Sequence, residues 1–336
     1  MRVLSITVIL NDIIVGMKRV AVLRGGPSGE YSVSMKTGQA VLEALGTLDY
    51  KFKDIVITKQ GEWLTGGFAQ TPDRALEGID VVFLALHGEF GEDGRVQRIM
   101  QRLNLPFTGS NALPSAIAFN KDLTKQTLKK YGVKMPRHRR FSKHELETLE
   151  EEIDNIVSEI GHEVFIKPLA SGSSLGAKHV PNSANLKHEI INLAELYDEL
   201  MIEEFVRGKE ATVGVLNNFR DEEFYALPVV EILPPRSDTF YSNSNKYDGS
   251  TELVCPGRFS YHEKARLAET ASLVHKVIGL NQYSRSDFIV KDGEIYFLEV
   301  NTLPGLTAHS LFPRSAGAIG LDFSQLVKHL IDTASV

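Results

Sequence analysis

Two oxygen-bearing side chains, Glu299 and Asn301, stand two positions apart near the C-terminal end of the sequence, in a run that predicts a strand. Side chains alternate between the faces of a strand, so both residues are expected to share one face with Ile295 and Phe297. At that spacing the Cα atoms lie about 7 Å apart, close enough for both oxygens to approach one hard cation. The pattern indicates a candidate metal face, although taken alone it is better explained as the polar outer face of an ordinary hairpin.

The direction of a third oxygen ligand depends on the turn before this strand. Asp287 lies on the preceding predicted strand, residues 284–291, and the two strands are joined through the Asp-Gly dipeptide at 292–293. A two-residue loop at this dipeptide would aim Asp287 away from Glu299.

A three-residue loop would have the opposite effect. With Gly293 in the left-handed conformation, it would turn Asp287 to the same face as Glu299 and Asn301. Arg285 would then lie directly opposite Glu299. We expect the three-residue loop, in which Gly293 sets the register of the hairpin.

A loop rich in small and hydroxyl-bearing residues, 168–176, follows a predicted strand that ends at Lys167. Small residues expose backbone N–H groups, hydroxyls add donors, and the preceding lysine supplies positive charge, which together suit a phosphate group. Lys121 also lies at the end of a predicted element in the same unit. Taken alone, a flexible surface hairpin with solvated lysines explains the loop equally well.

The predicted strand 200–206 leads into a short linker that offers backbone N–H and C=O groups to the edge of a base. Phe205 would give the base an apolar contact, and the carboxylates of Glu203 and Glu210 could accept hydrogen bonds from amino or ribose hydroxyl groups. An ordinary strand and turn is the simpler interpretation of the apolar residues alone.

The composition limits the classes of protein. The chain has 336 residues, 43% of them hydrophobic, and a formal net charge of −6 with both signs spread along it. Such a chain can form two or three domains, each with a hydrophobic core. Its charge distribution does not indicate binding to nucleic acid or to a membrane surface. The single cysteine, Cys255, excludes an internal disulfide and fits a reducing compartment, so we expect a cytoplasmic protein.

Three units are predicted, which makes the fold class α/β, with α+β character in part. Alternating strands and helices over 17–110 favour a mainly parallel sheet covered by helices. A second unit covers 111–207, and a third covers 208–336 with a long irregular loop at 233–253. Residues 1–16 have an apolar run too short to span a bilayer and no small-residue cleavage site, so we expect an extension outside the fold, with an added edge strand as the alternative.

Four sequence blocks give the chain a resemblance to the ATP-grasp enzymes and, within them, to the D-alanine–D-alanine ligases. The resemblance covers residues 18 to about 333. The blocks are Gly25-Gly26-x-Ser28-x-Glu30-x-x-Val33-Ser34; Leu86-His87-Gly88 with Gly91-Glu92-Asp93-Gly94; Lys167-Pro168 with Gly172-Ser173-Ser174-x-Gly176; and Glu299-x-Asn301-Thr302-x-Pro304-Gly305-x-Thr307-x-His309-Ser310. No single block is specific, but the four occur in the right order with the right gaps.

The resemblance implies a three-domain ATP-grasp architecture, with ATP held between antiparallel sheets of the second and third domains. It also implies roles for individual residues. Those that would hold two Mg²⁺ ions, with Mn²⁺ as a substitute, are Asp287, Glu299 and Asn301. Those that would contact ATP are Lys121, Lys167, Ser174, Glu203, Phe205, Val206, Glu210 and Lys246.

Two D-alanine sites follow from the same resemblance. Glu30, just beyond the first glycine turn, would bind the ammonium of the first D-alanine, with His87 as a supporting contact. Ser310 and the backbone of Leu311 would hold the carboxylate of the second.

The implied reaction is ATP-dependent ligation of two D-alanine molecules through an acyl phosphate. Arg285 and the N–H of Gly305 would stabilise the oxyanion of the tetrahedral intermediate. Because water would hydrolyse the acyl phosphate, a lid is needed, and the 233–253 loop is the candidate. Tyr247 in that loop would hydrogen-bond Ser173 and Glu30.

Alternative functions stay open at this point. The loop tyrosine is absent from the related ligases that make D-alanyl-D-lactate, so Tyr247 favours an amine nucleophile. An ATP-grasp ligase that takes D-lactate or D-serine as second substrate is one alternative, and a nucleotide-binding module without catalysis is another. A homodimer formed through the first domain is expected from the resemblance only.

Overall fold

The computed structural model describes residues 17–170, 172, 176–235, 250–308 and 310–336. The predictions for the extension 1–16 and for Ser173, Ser174, Lys246 and Tyr247 lie outside these residues. Three sheets with helices packed on them form a mixed α/β fold, which confirms the predicted class. No helix within the described ranges is both long and apolar enough to cross a membrane.

The first sheet is parallel at its centre, as the alternation of strands and helices predicts. Its strands are β1 (Arg19–Gly25), β2 (Lys51–Ile57), β3 (Trp63–Thr65), β4 (Phe68–Gln70) and β5 (Val81–Leu84), in the order β4-β3-β2-β1-β5. β1 pairs in parallel with β2 and β5, whereas β3 and β4 extend the β2 edge in antiparallel fashion. Its helices are α1 (Tyr31–Leu45), α2 (Pro72–Ala75) and α3 (Arg95–Arg102).

The turn between β1 and α1 requires glycine. Gly25 has a φ of +92°, and a Cβ at this position would lie 2.2 Å from the carbonyl oxygen of Ile57. The N–H of Gly26 donates to that same oxygen at 2.7 Å. The close approach leads the chain into α1 with Glu30 immediately before its first residue.

The second sheet is antiparallel, with strand order β6-β9-β7-β8. Its strands are β6 (His138–Ser142), β7 (Val164–Pro168), β8 (Lys178–Val180) and β9 (Glu199–Glu204). The helices of this part of the chain are α4 (Ala112–Phe119), α5 (Lys121–Lys129), α6 (Leu149–Glu159) and α7 (Leu186–Ala194), with 3₁₀ turns at Lys143–Thr148 and Ser183–Asn185. α5 begins at Lys121 because the side chain of Asn120 accepts hydrogen bonds from the first free N–H groups of the helix.

The third sheet is also antiparallel and has the order β13-β12-β10-β14-β15, with β11 paired to β10. Its strands are β10 (Lys209–Phe219), β11 (Glu222–Ala226), β12 (Val230–Leu233), β13 (Glu252–Val254), β14 (Tyr283–Lys291) and β15 (Glu294–Asn301). The helices are α8 (Tyr261–Ile278), α9 (Leu311–Gly317) and α10 (Phe323–Asp332). Two antiparallel sheets thus follow one parallel sheet, the arrangement that the resemblance implies.

The hydrophobic cores do not follow the chain in consecutive blocks. The apolar side chains of α10 share one core with β1 and β5, and Leu303 of the loop after β15 is buried in that same core. Ala118 of α4 and Leu128 of α5 instead share a core with α8 and β14. The loop that follows the candidate metal face is therefore anchored in the first unit.

Acid is expected to destabilise the protein partly through His275 on α8. This side chain is fully buried, and its Nδ1 hydrogen-bonds the Ser284 hydroxyl at 2.7 Å. Burial lowers the pKa of His275 from 6.5 to about 4. Between these pH values the unfolded chain binds a proton that the folded protein does not. The free energy of unfolding therefore falls as the pH falls through this window, by up to about 3 kcal/mol from this group.

Urea unfolding of His275→Leu and the wild type across that pH window tests this expectation. The variant starts less stable because Ser284 loses its partner, but its free energy of unfolding should depend less steeply on pH. His262→Gln changes an exposed histidine near the start of the same helix and should keep the wild-type slope. An equal slope in His275→Leu would show that the buried imidazole does not control acid stability.

Candidate active site

The hairpin that carries the candidate metal face (Asp287, Glu299 and Asn301) has a two-residue turn, so the expected three-residue loop is wrong. Lys291 pairs with Glu294 across the turn. Both turn residues have positive φ, +52° at position 292 and +77° at position 293. Two successive left-handed residues are typical of the type I′ turn, which the Asp-Gly sequence favours.

A β-bulge, rather than Gly293, sets the register at the candidate metal face. Phe288 pairs with Phe297, but the preceding residue of β14, Asp287, pairs with Glu299. Leu298 is therefore an extra residue on β15. Directly paired residues of neighbouring strands point to the same face, so the bulge turns Glu299 to the side of Asp287 despite the two-residue turn.

Because of the bulge, two other expectations about this hairpin are wrong. Ile295 and Phe297 pack in the core beside α8, so Glu299 lies on the opposite face of β15 from them. The core position after the bulge is Val300, three residues beyond Phe297. Arg285 pairs with Asn301 and not, as expected, with Glu299.

Asp287 accepts four hydrogen bonds on the candidate metal face. Its Oδ1 accepts hydrogen bonds from the Thr212 hydroxyl at 2.5 Å and from Arg285 Nε at 2.9 Å. Its Oδ2 accepts from Arg285 Nη2 at 2.8 Å and from Asn301 Nδ2 at 3.2 Å. Arg285, the expected oxyanion group, thus makes a bidentate ion pair that holds both side chains in fixed orientation.

The donor atoms of the candidate metal face suit Mg²⁺. Asp287 and Glu299 lie opposite each other and Asn301 adds an amide group, and Mg²⁺ is usually bound by one or two carboxylates plus water and phosphate oxygens. Arg285 and Lys121 balance the charge, with Lys121 Nζ 3.6 Å from Glu299 Oε2. No group of three or more His, Cys, Asp or Glu side chains able to hold a metal occurs in the described residues. The remaining ligands of such an ion must come from nucleotide and water.

Three buried lysines lie beside this face, and two of them share one carboxylate. Lys125 forms an ion pair with Glu203 Oε1, and Lys167 Nζ lies 2.7 Å from Glu203 Oε2. Burial alone would raise the pKa of Glu203, but the two ammonium groups hold it at about 2. Burial lowers the pKa of Lys121 and of Lys125. For Lys167, attraction to Glu203 and Glu299 outweighs burial and raises the pKa.

A small cavity joins the candidate metal face to the loop expected to bind phosphate. Lys121, Glu299 and Asn301 line it together with Gly172 of that loop. The other lining residues are Glu92, Ala118, Phe119, Val300 and Thr302. A phosphate in this cavity would meet a lysine, a glycine backbone and the oxygens of the candidate metal face.

Glu30, expected to bind the first D-alanine, is buried where two glycine loops meet. A Cβ at Gly172 would lie 2.1 Å from Glu30 Oε2, and a Cβ at Gly88 would lie 2.7 Å from it. With glycine at both positions, the two backbones can approach the carboxylate this closely without displacing it. The structure thus brings Glu30 next to the loop expected to bind phosphate.

His87 is held by two contacts that suit a neutral ring. Nδ1 lies 3.0 Å from the carbonyl oxygen of Leu303, which can only accept, so Nδ1 carries the proton. Nε2 lies 2.8 Å from the hydroxyl of Thr37. Burial lowers the pKa of His87. These contacts support a structural role more directly than a substrate contact.

The residues expected at the second D-alanine are adjacent at the start of α9. Ser310 Oγ accepts a hydrogen bond from Thr307 N–H at 3.1 Å, and a Cβ at Gly305 would lie 2.9 Å from the same oxygen. Leu311 is the first residue of the helix and is buried. A carboxylate at this helix start would meet N–H groups without an intrahelical partner.

The expected adenine end contains an aromatic stack. Phe205 stacks on His179, with ring centroids 3.9 Å apart and planes at 24°. Val206 is buried, and Glu210 lies on β10 opposite Ile289. The contact of Glu203 with the base of ATP stays a prediction. Both of its carboxylate oxygens already form ion pairs with lysines.

Three residues of the site were not singled out from the sequence. Lys125 lies one helical turn after Lys121, and this i, i+4 spacing is a signal that could have found it. Glu92 lies inside a recognised block, where it accepts hydrogen bonds from Gly88 N–H at 2.8 Å and Leu303 N–H at 3.2 Å. Burial raises the pKa of Glu92 to about 7, and the nearby negative charge of Glu30 adds to the effect. The third is the Thr212 hydroxyl, for which no sequence signal exists.

Two antiparallel sheets that bring buried lysines and a carboxylate face together, joined to a parallel α/β unit, define an ATP-grasp ligase. The family model described as D-ala D-ala ligase C-terminus matches residues 127–332, and the one described as D-ala D-ala ligase N-terminus matches residues 19–75 and 66–110. The chain belongs to the D-alanine–D-alanine ligase family.

Named relatives are similar to this chain over nearly its whole length. A D-alanine–D-alanine ligase of Aquifex aeolicus is 37% identical over 318 residues, which cover 93% of this chain and 99% of the relative. The VanG D-Ala:D-Ser ligase of Enterococcus faecalis superposes with a TM-score of 0.79 at 30% identity, covering 94% of this chain and 99% of that one. The D-alanine–D-alanine ligase of Bacillus anthracis complexed with ATP gives 0.77 at 30% identity, covering 94% and 96%.

Proposed function

We propose that this protein ligates two D-alanine molecules to D-alanyl-D-alanine with ATP, releasing ADP and phosphate, for peptidoglycan precursor synthesis. The observation that carries the proposal is the cavity in which Lys121, Glu299 and Asn301 meet Gly172, whose backbone abuts Glu30. A phosphate-binding centre and an ammonium-binding carboxylate are thereby adjacent, as transfer of a phosphoryl group to the carboxylate of D-alanine requires.

Each part of the site has a task in this reaction. ATP converts the carboxylate of the first D-alanine to an acyl phosphate, the amine of the second attacks it, and phosphate leaves through a tetrahedral intermediate. Lys121 and Lys167 contact the phosphates of ATP. Two Mg²⁺ ions, when bound by Asp287, Glu299 and Asn301, neutralise charge during phosphoryl transfer.

Other residues handle the substrates and the oxyanion. Glu30 binds the first ammonium, Arg285 and the Gly305 N–H stabilise the oxyanion, and Ser310 with the Leu311 backbone holds the second carboxylate. The base and ribose of ATP are held by Glu203, Phe205, Val206 and Glu210. Ser174 and Lys246 contact ATP, and Ser173 and Tyr247 take part in closing the site.

A second candidate function is ligation of D-alanine to D-serine or D-lactate. The likeness to the VanG D-Ala:D-Ser ligase favours D-serine, because that structure superposes as well as the D-alanine ligase does. The presence of Tyr247 argues against D-lactate as the second substrate. We also propose a cytoplasmic homodimer that does not bind nucleic acid, in keeping with its mixed surface charge and single cysteine.

Purified protein mixed with ATP, Mg²⁺ and D-alanine is expected to release phosphate and form a dipeptide, both in proportion to D-alanine. Omitting D-alanine or Mg²⁺ serves as the control. Adding D-serine or D-lactate in competition across a pH series separates the second candidate, because an amine nucleophile must first lose its proton. Phosphate release that does not depend on D-alanine would refute the proposed function.

A further inference from the structure

The loop of residues 301–305 begins at Asn301 of the candidate metal face and ends at Gly305, the glycine expected at the oxyanion. The backbone of Leu303 in this loop is hydrogen-bonded to the first unit. Its N–H donates to Glu92 Oε1 at 3.2 Å, and its carbonyl oxygen accepts from His87 Nδ1 at 3.0 Å. Its side chain is 2% exposed and lies in the core that β1 and β5 share with α10. Both backbone groups are thus held by a part of the chain about two hundred residues away.

The carboxylate of Glu92 makes a second connection with its other oxygen. Oε2 accepts the N–H of Gly88 at 2.8 Å, and Gly88 abuts the carboxylate of Glu30. One side chain therefore joins the wall of the first D-alanine site to the loop of residues 301–305. That loop runs from Asn301 of the candidate metal face to Gly305 of the oxyanion site.

The position of this connection matters for the chemistry. The acyl group is held on the Glu30 side, whereas the metal face and the oxyanion donor lie on the Leu303 side. A displacement of about 1 Å between reacting groups can cost about 100-fold in rate, because the transition state needs a narrow range of distances and angles. A carboxylate with two fixed N–H partners limits such displacement.

We infer that Glu92 is a positioning residue, which sets the distance between the first D-alanine site and the 301–305 loop by accepting Gly88 N–H and Leu303 N–H together. The inference rests on the proposed function. Glu92 also lines the cavity beside Lys121, and the inference assigns it no transfer of a proton.

Glu92→Gln tests this role with little change of shape. The amide has only one accepting oxygen, so one of the two N–H groups loses its acceptor and faces an NH₂ group. We expect kcat for D-alanine-dependent phosphate release to fall about 10- to 100-fold. The KM for ATP should stay within about twofold, because ATP lies between the second and third units. Loss of folded enzyme alone would also lower the apparent kcat without changing the KM, so kcat is expressed per folded enzyme, and global destabilisation would speed exchange at all slowly exchanging amides rather than at these two.

Amide hydrogen exchange supplies a readout that does not require activity. In Glu92→Gln the N–H of Leu303 or of Gly88 should exchange at least about tenfold faster than in the wild type. Glu89→Gln is the matched control: Glu89 lies in the same loop, is exposed, and approaches only Arg95 at 3.9 Å among the ion pairs of the described residues. It should leave exchange, kcat and KM within about twofold of the wild type.

Three results would overturn the inference. They are unchanged exchange at both amides in Glu92→Gln, faster exchange with an unaltered kcat, and a fall in kcat accompanied by an equal rise in the KM for ATP. If the wild type itself releases no phosphate with D-alanine, the proposed function fails. The exchange rates would then still decide whether Glu92 holds the two loops together.

Discussion

Glu299→Gln is expected to reduce D-alanine-dependent phosphate release on the order of 10³-fold, since metal-ion stabilisation of phosphoryl transfer amounts to several kcal/mol. The substitution keeps the shape of the side chain but removes one of the two carboxylates of the candidate metal face. It also removes one ion-pair partner of Lys121, whose Nζ lies 3.6 Å from Glu299 Oε2. Burial already lowers the pKa of Lys121, so loss of the carboxylate favours its neutral form further.

Binding and turnover should separate in this variant. Binding of a non-hydrolysable ATP analogue, measured by calorimetry, should still be detectable but weak in Glu299→Gln, because Lys167 and the residues proposed to bind the base are intact. Glu294→Gln is the control, since Glu294 lies on the same strand, is half exposed and pairs with Lys134 at 3.3 Å and Arg266 at 3.5 Å. It should turn over like the wild type. Full activity in Glu299→Gln would refute the metal assignment.

The sequence predicts the overall architecture because the signals for it are local. Buried strands such as Val81–Leu84 appear as unbroken apolar runs, and the glycine turn at Gly25 appears in the sequence itself. The order and spacing of the four blocks then identify the family. β3 and β4 are three residues each, too short for a periodic pattern to predict them.

The register of the β14–β15 hairpin shows what local signals miss. The Asp-Gly dipeptide indicates a two-residue turn, and that turn is present. If β15 then alternated regularly, without a bulge, Asp287 would point to the opposite face from Glu299. The signal for the bulge is in the apolar spacing: Ile295 and Phe297 are two apart, whereas the next core residue, Val300, is three further on. A break in the period of two marks an extra residue.

The buried charge network could not be predicted from the sequence. Lys125 and Glu203 are far apart in the chain and meet only in the folded structure, where Glu203 of β9 also pairs with Lys167 of β7. Lysine is normally a surface residue, so its burial depends on a partner that the sequence does not identify. The same holds for Glu92 and Leu303, which the packing of a distant loop into the first unit brings together.

Glu203→Gln is expected to lower the free energy of unfolding by about 3–5 kcal/mol, the range for breaking a buried ion pair. Glu203 is the shared partner of two buried ammonium groups, those of Lys125 and Lys167. An amide offers no charge to offset either of them. Lys125→Met alone should cost less, because Glu203 keeps Lys167 and no buried cation is left without an anion. Adding Lys125→Met to Glu203→Gln should therefore recover part of the loss, since one uncompensated charge is removed.

Urea unfolding at neutral pH of the two single variants and the double variant measures this coupling. Glu199→Gln is the matched control on the same strand, where the carboxylate pairs with Arg140 at 2.6 and 2.8 Å but both side chains are partly exposed. Because exposed ion pairs contribute little, that variant should lose no more than about 1 kcal/mol. If Glu203→Gln unfolds at the wild-type urea concentration, Glu203 is not the charge that stabilises the two buried ammonium groups.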